Sequence, residues 1–252
     1  MKIVEVENVS KSYQSKNNEK TYEALRHISF HIEKGEFVGI MGSSGSGKTT
    51  LLNVLGSLDK PTTGTIKIND KDVVSLKKGE LAKHRVENIG FIFQDYNLLE
   101  TMTLKENIIL PLALQEQDSE VLEEKLKPLV KKLGIEEVVD KYPYEVSGGQ
   151  QQRAAACRAL ITSPAIILAD EPTGNLDSTS SEDLLLLLQE LNEHFQVTIL
   201  MVTHDVFAAS YCERILFIKD GVFIDEVKKQ DNNENYITII MSKMRVLGGK
   251  SS

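Results

Sequence analysis

The sequence predicts an α/β fold built on a mostly parallel sheet, and three observations carry that expectation. Short continuous apolar runs, FVGIM from Phe37, AIILA from Ala165 and VTILMV from Val197, are rich in β-branched residues, as strands covered on both faces are. A segment of helical pattern stands between the last two, the alternation that a parallel sheet needs for its crossovers. The first run ends directly at a glycine-rich loop, GSSGSGKT from Gly42, so a strand feeds a loop that opens a helix.

The elements follow in order. Ile28, Phe30 and Ile32 alternate with polar residues as in a half-buried strand, EKGE makes a turn, and FVGIM is the first buried strand. After the loop, LLNVLGSL from Leu51 has helical spacing, DKPTTG is a turn, TIKIND from Thr65 alternates again, and IGFIF from Ile89 is another buried strand. Over about 95–146 the chain changes character. TLKENIILPLAL is helical there, Leu122, Leu126, Leu129 and Leu133 share one helical face, and Gly134 is placed as a C-cap, which makes the region a helical insert. The α/β pattern then resumes, and RILFIKDGVFIDEV from Arg214 reads as a hairpin turning at Asp220–Gly221. KKQDNNEN from Lys228 is polar enough for a surface linker to a last helix with Tyr236, Ile239, Ile240 and Met244 on one face. These patterns divide the chain into one domain over 1–230 and a C-terminal helix and tail over 231–252.

Composition removes several classes of function. With 29 Lys and Arg against 37 Asp and Glu, the net charge of −8 gives no basic footprint for nucleic acid. The longest apolar stretches fall well short of the ~20 residues that cross a bilayer. MKIVEVENVS mixes charged and apolar residues where a signal peptide needs an apolar stretch, so contact with a membrane is expected to run through another protein. Cys157 and Cys212 stand in no metal-binding or redox spacing and read as buried free thiols.

The chemistry begins at GSSGSGKT, which satisfies Gly-x-x-x-x-Gly-Lys-Ser/Thr with Gly42, Gly47, Lys48 and Thr49. Over Gly42, Ser43, Ser44, Gly45, Ser46 and Gly47 the backbone can wrap a β-phosphate. Lys48 then reaches the β and γ oxygens, Thr49 offers a hydroxyl to Mg2+, and Thr50 continues the cradle. IILADE from Ile166 brings two carboxylates to a strand end, where ligands sit in open α/β sheets. Asp170 is suited to orient the metal and Glu171 to take a proton from an attacking water. Gln94 and His204 follow apolar strands in the same way: Gln94 is placed to touch the metal and the water, His204 to donate to the γ-phosphate. VSGGQQQR from Val146 poses a separate question. Its paired glycines make a second phosphate cradle at a helix start, roughly a hundred residues after a loop that already holds one nucleotide.

Taken in order, the phosphate loop, Gln94, the helical insert, VSGGQQQR, IILADE, GNLD from Gly174 and His204 resemble the ATP-binding cassette ATPases over nearly the whole chain. The resemblance implies a phosphate-loop NTPase core with an N-terminal antiparallel β subdomain and an inserted α-helical subdomain. It implies ATP and Mg2+ as cofactors, Tyr13 as the aromatic that stacks on adenine, and Ser147, Gly148, Gly149 and Gln150 as the family signature. Asn175 to Asp177 match the loop that communicates across a dimer. Two cassettes would then associate head to tail, the glycine pair of one closing on the γ-phosphate held by the other, which answers the question of the second cradle. Val146 stands where the signature usually has leucine, and GNLD where many members have Ser-Ala-Leu-Asp.

Within the family, FIFQDYNLL, TMTLKENIILPL and DEPTGNLD resemble the macrolide-export and lipoprotein-release branch, and most of all the ATPase subunits of bacitracin-type peptide-antibiotic transporters. That implies a homodimer on the inner face of the cell membrane, held there by a separate permease that also works with a sensor histidine kinase. The alternative within the same branch is a regulatory ATPase that scaffolds a membrane complex, in cell division or in lipoprotein or macrolide export. A surface on Leu98, Leu99 and Met102, just after Gln94, is expected to meet the permease.

Overall fold

The computed structural model describes residues 1–14, 21–230 and 235–248. Two sheets form the frame. β1 (Lys2–Gln14) and β2 (Thr21–Glu33) pair antiparallel, and with β4 (Thr63–Ile68) and β5 (Lys71–Asp72) they make a four-stranded antiparallel sheet ordered β2-β1-β4-β5. The second sheet has six strands, ordered β10-β9-β3-β8-β7-β6. Its β3 (Phe37–Met41), β6 (Ile89–Phe93), β7 (Ile166–Asp170), β8 (Ile199–Thr203) and β9 (Arg214–Lys219) run parallel, and β10 (Val222–Lys228) returns antiparallel along one edge.

Burial explains why the central strands are apolar throughout. Every residue of β3 and β8 is buried, because both faces of the sheet are covered. One apolar cluster lies between this sheet and the antiparallel one and takes in α1 (Lys48–Leu55) through Leu51, Leu52, Val54 and Leu55. The other unites the opposite face with α3 (Leu104–Ala113), α4 (Ser119–Lys132), α5 (Gly148–Leu160) and α6 (Ser178–Phe195). Leu126 and Leu133 are buried and Leu122 and Leu129 pack partly against them, while Gly134 takes φ 64°, the left-handed conformation of a helix C-terminal stop. The hairpin turns at Asp220 (φ 49°) and Gly221 (φ 78°), two successive left-handed residues of the kind that match strand twist.

Three features differ from the sequence expectation. α2 (Lys78–Asn88) and the single turn α7 (Val206–Ala209) were not anticipated; α2 buries only Leu81, His84 and Asn88, too few apolar positions to show a helical period. In α8 (Tyr236–Gly248) the inward face is Tyr236, Ile240 and Leu247 with Met244 partly covered, and Ile239 is 39% exposed. At ~100° per residue Ile239 falls nearly a quarter turn off the line through those positions. The proposed linker falls partly, and the end of the tail wholly, outside the described residues.

Candidate nucleotide site

Register in the parallel sheet assembles the site. Phe93 lies opposite Asp170, and Met41 opposite Thr203, so the residues that follow, Gln94 beside Glu171 and Gly42 beside His204, leave the sheet at one edge. These are the carboxyl ends of the strands, where open α/β sheets bind ligands.

The phosphate loop is shaped by contacts that only glycine permits at two positions. A Cβ on Gly42 would stand 2.3 Å from the Ile218 carbonyl oxygen, and Gly47 has φ 105° with the Ala24 carbonyl 2.6 Å from where its Cβ would be. Lys48 is buried within this loop, its Nζ donating to the carbonyls of Gly42 at 2.8 Å and Ser43 at 3.0 Å. Burial pushes its ammonium below the usual lysine range, against the pull of the Glu171 and Asp170 carboxylates. Ser46 is buried against Gly42, off the lining of the cleft that opens on the loop, and its hydroxyl has no hydrogen-bond partner.

A cleft of about 690 Å³ opens on the loop, and Lys48, Thr49, Thr50, Glu171 and His204 line it together. An adjoining cleft of about 630 Å³ shares Glu171 and His204 and adds Gln94 and Gly174. Glu171 therefore stands where the two clefts meet. Its backbone has φ 43°, rare for a residue with a side chain, and it is held there by its N–H donating to the Val202 carbonyl at 2.9 Å. His204 Nδ1 lies 2.9 Å from Glu171 Oε2, which fixes the carboxylate against the imidazole. Asp170 has its carboxyl raised above the ordinary range, first by burial and then by Glu171, with Lys48 opposing. Gln94 Nε2 donates to Asn175 Oδ1 at 3.2 Å, and Asn175 Nδ2 donates back to the Gln94 carbonyl at 3.2 Å and to Asp95 Oδ1 at 2.8 Å.

The remaining candidates lie elsewhere. Ser147 caps α5: its hydroxyl accepts the Gln150 N–H at 3.3 Å, and Gln150 Oε1 accepts the Ser147 N–H at 3.0 Å. Gly148 and Gly149 form the first turn, with Tyr96 and Ser180 beside them, and this turn lines neither cleft. Tyr13 also stands outside the cleft lining and gives its hydroxyl to Asp59 at 2.9 Å. Its cross-strand partner Tyr22 does line the cleft, as does Met244 from α8. Sequence reasoning passed over both, because no spacing links them to the loop; they arrive through the β1–β2 pairing and the return of the last helix. Leu99 is 45% exposed, whereas Leu98 packs against the core. Among the described residues no helix is long and apolar enough to cross a membrane.

The sequence profile of the ABC transporter family matches residues 25–174. The bacitracin export ATP-binding protein BceA of Halalkalibacterium halodurans is 54% identical, covering 99% of this chain and 98% of its own length. The macrolide export ATP-binding/permease protein MacB of Syntrophobacter fumaroxidans is 44% identical over 90% of this chain but 32% of that longer protein. Among solved structures, the dimeric ATP-binding cassette MJ0796 bound to ADP and phosphate matches with a TM-score of 0.82 and 42% identity over 90% of this chain and 99% of that one. On these grounds the chain belongs to the ABC transporter family, as an ATP-binding and ATP-hydrolysing subunit.

Proposed function

We propose that this subunit energises a separate membrane permease in the handling of peptide antibiotics such as bacitracin, working as a head-to-tail homodimer on the inner face of the cell membrane. The similarity to BceA over almost the full length of both chains supports the substrate class, and the dimeric cassette structure supports the pairing. A sensor histidine kinase acting through the same permease belongs to this reading. One catalytic domain over 1–230, followed by a helix that closes back on it, is the corresponding division of the chain.

The observation that carries the chemistry is the place of Glu171 at the junction of the two clefts, 2.9 Å from His204. Lys48 releases the Gly42 and Ser43 carbonyls to bind the β and γ oxygens of ATP, while the loop N–H groups take the phosphates. Thr49, Gln94 and Asp170 fit Mg2+, since hydroxyl, amide and carboxylate oxygens are the hard donors it selects, and a cation would relieve the crowding of Asp170 by Glu171. Bound there, the ion would neutralise charge on the β and γ oxygens. Glu171 accepts the proton of the attacking water, His204 exchanges its contact with that carboxylate for donation toward the γ-phosphate when ATP binds, and Gln94 orients the water. On the partner chain, Ser147 to Gln150 close the site.

Glu171→Gln keeps shape and hydrogen bonding but removes the base, so turnover should fall by about 10²–10⁴-fold while ATP still binds and dimers accumulate on a sizing column. Near-normal steady-state hydrolysis would sink the assignment. Identification of the co-purifying membrane protein tests the rest: a permease with a large extracellular domain is expected, and a small four-span partner would point to the division-type scaffold instead.

A further inference from the structure

Gln152 is fully buried on α5, two residues past the signature, and the chemistry above makes no use of it. Its Nε2 donates to the Pro172 carbonyl at 2.5 Å and to the Phe93 carbonyl at 3.3 Å. Phe93 immediately precedes Gln94, and Pro172 immediately follows Glu171. Two carbonyl acceptors admit only the amino end of the amide, so the side chain has one orientation, and that orientation leaves Oε1 buried with no donor. A buried acceptor left unsatisfied is the mark of a group kept for what its other end does.

Further bonds tie the same helix to the same edge. Arg158, also on α5, donates to the Tyr96 carbonyl at 2.8 Å and the Asn97 carbonyl at 2.5 Å, where both residues are left-handed (φ 59° and 50°). Thus α5, which begins at the Ser147 cap, holds the Gln94 segment at two points and the Glu171 segment at one, and Gln152 alone touches both.

We propose that Gln152 is a positioning residue that locks the ends of β6 and β7 so that Gln94 and Glu171 face one water, and that it ties their placement to the docking of the signature turn. The inference rests on the head-to-tail dimer. In that arrangement the signature of a chain serves the partner's nucleotide while Gln94 and Glu171 serve its own, so Gln152 joins the two composite sites through a single amide. The left-handed backbone at Glu171 needs such an outside constraint, because an isolated strand end relaxes to φ below zero.

Gln152→Met preserves volume and removes both donors, and is compared with wild type by ATP binding, steady-state hydrolysis and single-turnover hydrolysis, alone and combined with Glu171→Gln. Rates are counted per chain able to bind ATP, and Gln152→Glu, which keeps the shape, serves if the Met chain yields no binding-competent protein. The expected result is a fall in kcat of about 10²-fold, the scale of a small misplacement of reacting groups, with ATP affinity within about twofold of wild type. The double variant should lose little beyond Glu171→Gln, since Gln152 acts through that carboxylate; a general weakening of the fold would instead multiply the two losses. An unchanged kcat in Gln152→Met, or fully multiplicative losses, overturns the positioning role while Glu171→Gln still accumulates dimers. If Glu171→Gln neither loses turnover nor accumulates dimers, the reading beneath the proposal fails and takes it along.

Discussion

The loop at Gly42–Thr49 and the turn at Ser147–Gln150 are both glycine-rich, both open a helix and both suit a phosphate, yet their local structures differ in a way that separates their uses. In the first, a charged group is held in reserve: Lys48 rests on two carbonyls and lines a cleft together with the loop. In the second, Ser147 and Gln150 satisfy each other across the capping box, and the turn faces neither cleft. The first thus shows an unspent charge beside a cavity, while the second is locally complete and is marked by its two bare glycines.

The largest test of that contrast is nucleotide affinity. Lys48→Ala should weaken ATP binding by about 10²-fold or more, because a charge-assisted contact to the β and γ oxygens is lost from a partly desolvated site. Gly149→Asp should leave binding to the monomer within a few-fold of wild type and abolish hydrolysis, since it adds a carboxylate where the partner's γ-phosphate would approach. Its new Cβ meets the Ser180 side chain, Oγ at 3.1 Å and Cβ at 3.4 Å, and a small shift of that side chain, at the cost of loosening its bond to Asp177, relieves the contact. Titration with a fluorescent ATP analogue decides; equal loss of binding in both variants would erase the distinction between the two cradles.

Mixing is the next test. A Lys48→Ala chain paired with a Gly149→Asp chain concentrates both defects in one composite site and leaves the other intact, so two inactive proteins should regain part of the wild-type rate. Wild type mixed with either variant is the control for coupling between sites. If the controls hydrolyse ATP and the double-variant mixture does not, Gly149 works on its own chain's nucleotide.

Much of this was legible in sequence because it depends on short-range pattern. The glycine loop, the strand ends at Gln94, Glu171 and His204, and the Asp220–Gly221 turn are each set by a few adjacent residues. Contacts that depend on pairing between distant elements were not legible. Tyr22 enters the cleft because β1 places it opposite Tyr13, Gln152 matters because β6 and β7 end side by side, and Ile239 was misplaced because four of the five residues 237–241 are apolar and leave the facing direction to the tertiary contacts. α2 was missed because its covered face is short and partly polar, with His84 buried against the Ile68 carbonyl.

The surface that follows the Gln94 strand end yields a smaller effect. Leu99 is exposed while the loop that carries it is pinned, its N–H donating to Asn107 Oδ1 at 2.7 Å and its carbonyl accepting from Asn107 Nδ2 at 3.0 Å. Leu99→Asp should therefore change the stability of the isolated subunit by no more than about 0.5 kcal/mol, as expected for an exposed site, while reducing recovery of the permease complex. A melting temperature that drops by many degrees would show instead that Leu99 belongs to the core of the helical insert.

A modest change in stability separates the cap at Ser147 from the phosphate contact assigned to it. Ser147→Ala removes the acceptor of the Gln150 N–H and should cost about 1 kcal/mol, read as a modest fall in the melting temperature of the apo subunit. Ser147→Asp supplies an equally good cap acceptor and adds a negative charge at a helix N-terminus, so that melting temperature should return to wild type. The same carboxylate would then lie against the partner's triphosphate, where like charges repel, and hydrolysis should be lost although the fold is intact. If Ser147→Asp restored stability and ATPase activity together, Ser147 would be a helix cap and nothing more, and the second cradle would reduce to its two glycines.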